Sequence, residues 1–105
     1  MQRKHRVLTK TADYTVKASD SGSLIVADAV DLTFTLPAGA DGLNFEFSVG
    51  TASATTGLII DGNGAETVNG AATRTNTAAT DAVGNGMKIG WDGSEWFGIE
   101  SGTWA

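Results

Sequence analysis

The sequence predicts an all-β domain with little or no helix, a small β-sandwich or barrel of roughly seven to nine short antiparallel strands. Three observations lead there. Two segments, Leu32–Leu36 and Leu43–Val49, alternate apolar and polar residues with the period of two that a half-buried strand requires. No window places apolar residues at i, i+3, i+4 and i+7 among good helix formers. Turn residues, glycine above all, interrupt the chain at short and nearly regular intervals, the pattern of stacked short strands.

From the N-terminus, Val7–Ala18 carries β-branched residues and Tyr14 in a broken alternation, as one long strand or two short ones, and ends in the turn-like Ser19–Ser23. Leu24–Ala27 is a short apolar strand. In Leu32–Leu36 the side chains of Leu32, Phe34 and Leu36 share one face and Thr33 and Thr35 the other. Pro37 lacks the N–H a ladder needs and closes the strand before the Ala38–Gly42 turn. Leu43–Val49 then sorts Phe45, Phe47 and Val49 from Asn44, Glu46 and Ser48. A small-residue loop leads to a core strand at Leu58–Asp61, closed by the turn Asp61–Gly64, and a short edge strand is expected just after it.

Residues 71–86 hold few large apolar groups and are expected to lie across the surface, with short strands over Thr73–Thr77. A hairpin follows. Met87, Ile89 and Trp91 are expected to face Trp96 and Ile99 across a turn at Asp92–Ser94, and a terminal strand carries Trp104.

A chain of 105 residues accommodates one domain. Its core is expected to be thin, so that assembly supplements it. No apolar run approaches the roughly 20 residues of a membrane helix, and the basic start has no apolar stretch of signal-peptide length. The charges are unevenly placed. Residues 1–20 carry five basic and two acidic side chains, whereas residues 21–105 carry two basic and ten acidic ones. The reading is therefore a basic N-terminal arm over residues 1–17, leading into the first strand, and a single β domain over residues 18–105. An acidic body disfavours nucleic acid as a partner. The arm suits an acidic protein surface, with Arg3, Lys4, Arg6 and Lys10 as the docking residues.

The chemistry-bearing residues are few. There is no cysteine, and His5 is the single histidine, which leaves no Ser-His-Asp or Cys-His arrangement and no multi-histidine metal site within one chain. No two carboxylates stand out as a glycosidase pair. Asp61–Gly64 starts like a calcium loop, but its ligand positions do not continue and no glutamate closes it. No enzyme, metal or cofactor is expected. Trp91, Trp96, Phe97 and Trp104 are read as core or oligomer-interface aromatics, with a sugar- or base-stacking platform as the competing reading for the tryptophans.

Several segments carry a further signal: a GLxID pattern ending at Asp61, then NGAxT at 63–67, TNTAATDAVG at 75–84, DGxxW at 92–96 and the closing GTW. Over about two thirds of the chain, from Leu36 on, this resembles a family of small virion proteins of tailed bacteriophages. The resemblance implies a head decoration, or cement, protein: an all-β domain bound to the outer surface of the capsid through the major capsid protein, usually as a homotrimer. Trp91 departs from the pattern, which more usually has a smaller residue there. The basic arm lies outside the resemblance, and its docking role is read from charge alone. The alternative is a tail-fibre or baseplate module that binds a receptor or glycan.

Overall fold

The computed structural model of the chain describes residues 6–52, 57–77 and 83–105. Among them are nine strands: β1 (Val7–Lys10), β2 (Tyr14–Thr15), β3 (Leu24–Ala27), β4 (Thr33–Thr35), β5 (Asn44–Val49), β6 (Ile59–Asp61), β7 (Thr73–Thr75), β8 (Gly86–Trp91) and β9 (Trp96–Ser101). The only helical element described is one 3-10 turn, Ala18–Asp20. The strands form a five-stranded sheet in the order β1-β3-β5-β8-β9 and a four-stranded sheet in the order β2-β4-β6-β7. The all-β class and the strand number match the sequence reading.

The pairing direction does not. β1, β3 and β5 run parallel to one another, as do β2, β4 and β6, and antiparallel pairing begins only with β7, β8 and β9. The physical reason lies in the path. Each of the first five strands is followed by one in the opposite sheet, so the chain returns to its starting sheet pointing the same way and stacks on the previous pass. The result is a coil of three rungs, β1–β2, β3–β4 and β5–β6, closed by an antiparallel cap. Alternation reports which face a residue takes and says nothing of the direction of its neighbour.

Register aligns the apolar parity of every rung. Leu8, Ile25, Phe47 and Met87 are successive partners across the large sheet, and Tyr14, Phe34 and Ile60 across the small one. Among the described residues sixteen apolar side chains are buried in the core. Rings run through this interior in sequence: Tyr14 to Phe34 (6.4 Å between centroids), Phe34 to Phe47 (5.9 Å), Phe47 to Phe45 (6.3 Å), Phe45 to Trp96 (5.7 Å) and Trp96 to Trp91 (5.4 Å). The core is thus fuller than expected. The accessible surface is 5561 Å², against about 5,500 Å² for a compact monomer of this mass.

Three smaller expectations also change. No strand follows the Asp61–Gly64 turn at once; Val68–Ala71 instead makes a two-residue hairpin turn, with Asn69 and Gly70 both at positive φ (48° and 86°) and Val68 and Ala71 exchanging backbone hydrogen bonds. Ile99 faces away from Met87 and Ile89 and is 75% exposed. It stands three residues from the buried Trp96, an odd spacing that puts the two on opposite faces of β9. Trp104 sits in an isolated bridge to Asn76. The strand expected over Thr73–Thr77 is β7, and the neighbouring residues 78–82 lie outside the described residues.

Candidate docking surface

The strand edges are treated differently at the two ends of the coil. At the cap, β9 is covered. The Asn69 carboxamide accepts from the Gly98 N–H (3.0 Å) and donates to the Gly98 carbonyl (3.3 Å), standing in for a strand residue, while Trp96 exchanges backbone bonds with Thr67 and Asn69. β7 is covered as well, by the C-terminal residues: Thr75 and Ala105 exchange N–H to C=O bonds, and Thr77 donates to Thr103. A salt bridge ties the two covered strands together. Arg74 reaches Glu100 through both Nε (2.6 Å) and a terminal nitrogen (2.7 Å), and these hydrogen bonds, with the one from Asn69 and the Arg74 charge, hold the Glu100 carboxyl below its ordinary pKa against the effect of burial.

At the other end lies the first rung, and with it the described basic residues of the N-terminal segment. Arg6 donates to Asp20 at 2.8 Å, across an ion pair whose acid is 3% exposed and whose base is 57% exposed. The same carboxylate accepts from the Tyr14 hydroxyl (2.6 Å) and from the Lys17 N–H (3.0 Å). Burial on its own would raise the Asp20 pKa. The hydrogen bonds and the nearby cations outweigh it and keep the acid below its ordinary value, while the bond to Asp20 raises Tyr14. Lys10 places its ammonium 3.9 Å from the centre of the Tyr14 ring, a cation–π contact. One buried acid therefore organises the base of the arm. Arg3, Lys4 and His5 lie outside the described residues.

Arg6 and Lys10, two of the docking residues expected from the sequence, both make intrachain contacts that fix where their charge sits. Asp20 and Tyr14 do the holding, a role that the sequence alone does not assign to them. The available signal is an acid, Asp20, at the border of a basic segment.

The aromatic residues separate cleanly. Trp96 and Trp104 are buried, and Trp91 is half-buried against Trp96 and over Gly39, where a Cβ would collide with its ring. Their indole N–H groups have protein work: Trp96 donates to Glu66 (3.2 Å) and Trp104 to the Ser101 carbonyl (3.0 Å). Glu66 also receives the Gly39 N–H. A stacking platform needs open ring faces, and Trp96 and Trp104 have none. Acrylamide should accordingly quench at most one of the three tryptophans of the monomer efficiently, and an equal, strong response from all three would contradict this packing.

Phe97, in contrast, is 46% exposed and shares the outer face of the large sheet with Ile99, Val7, Leu24 and Val26. A shallow concavity of about 330 Å³ opens on that face between Leu24, Glu46, Lys88 and Ile99. No group of three His, Cys, Asp or Glu side chains disposed to hold a metal occurs among the described residues. The arrangement offers charge at one end and apolar surface on one side, the elements of a binding face. Comparison of the chain with protein-family models, with curated proteins and with solved structures finds no match.

Proposed function

We propose that this protein is a non-catalytic binding domain that decorates the outside of a phage head, docking its basic end onto acidic groups of the major capsid protein. One observation carries the docking geometry: the basic residues described near the N-terminus, Arg6, Lys10 and Lys17, gather on and beside the first rung, while the rest of the chain carries ten acids against two bases. Arg3 and Lys4 extend the same end in sequence. The virion setting is supported by the motif resemblance from Leu36 onward. Homotrimers would present three such ends at once, so that individually weak ion pairs sum to long occupancy. Phe97 and Ile99, exposed on the outer face of the large sheet, replace Trp96 and Trp104 as the side chains for contacts between protomers.

The experiment is occupancy on purified capsids. A variant lacking residues 2–6 should bind at least tenfold more weakly at physiological salt, and the full chain should weaken as ionic strength rises from about 0.1 to 1 M, where the screening length falls from about 10 to 3 Å. A double variant, Arg3→Gln with Lys4→Gln, preserves the Arg6–Asp20 pair and separates lost docking from lost folding. Unchanged occupancy in both variants rules out the basic end as the docking end. The burial of Trp96 and Trp104 weighs against the alternative, a fibre or baseplate module that stacks a glycan on its tryptophans.

A further inference from the structure

β1 is the terminal strand of its sheet. Its parallel partner β3 donates from Leu24 N–H to the Arg6 carbonyl and from Asp28 N–H to the Lys10 carbonyl, both at 2.8 Å. In a parallel ladder the residues that bond one neighbour alternate with those that face the other side. Arg6, Leu8 and Lys10 face β3. Val7 and Thr9 consequently aim two N–H groups and two carbonyls away from it, where no strand lies among the described residues. A row of donors and acceptors with no partner strand among the described residues is a template for another strand.

The contrast with the remaining edges gives this weight. β9 is plugged by Asn69, β7 by the C-terminal residues, and β2 is only two residues long. Edges are ordinarily blunted by proline, a bulge or a cover; among the described residues none of these is found at β1. Its side chains leave the approach open too, since Lys10 lies on the Tyr14 ring and Arg6 is drawn to Asp20.

Charge selects the occupant. A strand laid along β1 runs between Arg6 and Lys10. A second copy pairing antiparallel about Leu8 would set Arg6 against the partner's equivalent lysine, cation on cation, on both sides of the twofold. An extended segment with carboxylates at alternate positions meets both cations instead. We infer that the open edge of β1 is a strand-addition site for an extended acidic segment of a partner protein, bound by backbone hydrogen bonds to Val7 and Thr9. Backbone pairing supplies the affinity and the flanking cations the selectivity. The inference deepens the docking reading and rests on it for the choice of end.

The test uses the full chain and a blocked seven-residue peptide alternating glutamate with valine and threonine. In the free protein the amides of Val7 and Thr9 exchange rapidly with solvent deuterium. Saturating peptide should slow both at least tenfold and leave the β5 amides unchanged. The same peptide with lysine for glutamate should bind at least tenfold more weakly. Thr9→Pro removes one edge donor without touching the bonds to β3, a position where strand proline is tolerated, and should weaken binding at least tenfold; Thr9→Ala should stay within twofold. Protection equal with both peptides, or none with either, overturns the inference, and so does full binding by Thr9→Pro. Should that variant misfold, the exchange data on the unaltered protein decide alone. Capsid occupancy that depends on residues 2–6 but not on Thr9→Pro would leave arm docking standing and remove strand addition.

Discussion

Replacing Trp96 with alanine should cost the fold about 3–5 kcal/mol, the range for truncating a large buried aromatic. Trp96 is fully buried where the cap meets the coil, its ring between Phe45 (5.7 Å) and Trp91 (5.4 Å), and its indole N–H on Glu66. Truncation opens a cavity at the junction of the two parts of the molecule and strips Glu66 of one donor. For a chain of this size each kcal/mol lowers the melting temperature by roughly 4–8 °C, so a fall of about 15 °C or more is expected. Trp96→Phe, which keeps the ring contacts and loses the hydrogen bond, should cost less than half as much. Equilibrium denaturation in urea measures both; a loss below about 1 kcal/mol for the alanine variant would mean that the cap does not depend on this side chain.

The second large effect is expected at Asp20. Asp20→Ala leaves Arg6, the Tyr14 hydroxyl and the Lys17 N–H without their common acceptor, and should cost about 2–4 kcal/mol. The damage should concentrate in the first rung, which packs on the second mainly through Leu8 and Tyr14. Because the folded acid titrates below its unfolded value of about 3.9, its contribution is complete above that pH and disappears as pH falls through the lower, folded value. Tyr14 is raised, so its share persists below about pH 10 and is lost as pH climbs through the raised value. The difference in stability between the unaltered chain and Asp20→Ala should therefore be flat through neutral pH and shrink below about pH 4. A difference that grows on acidification would contradict the arrangement.

How far the sequence reveals this molecule depends on whether a feature is local. Parity sorts Phe34, Phe45 and Phe47 onto the buried face, and parity is a property of adjacent residues. Ile99 was misplaced although the same rule, applied from Trp96, puts it outside. The coil was hidden, because whether β3 lies parallel or antiparallel to β1 depends on the intervening pass through the other sheet. Residue types record none of that. Long-range polar pairs were equally illegible: Asp20 is 14 residues from Arg6, and Asn69 is 29 from Gly98. The Asn69–Gly70 pair signalled a turn, but its carboxamide's use as a false strand residue needs β9 beside it. The charge division is legible because it is a matter of chain order, and chain order and position on the coil coincide in the first rung.

An image of the intact particle, at a resolution that orients individual domains, tests the account most directly. It should show the domain on the capsid exterior with β1, Arg6 and Lys10 turned toward the shell and the β8–β9 hairpin turned away from it. A domain seated on the head with that hairpin against the shell, or found only at the tail, would contradict the basic end as the docking end.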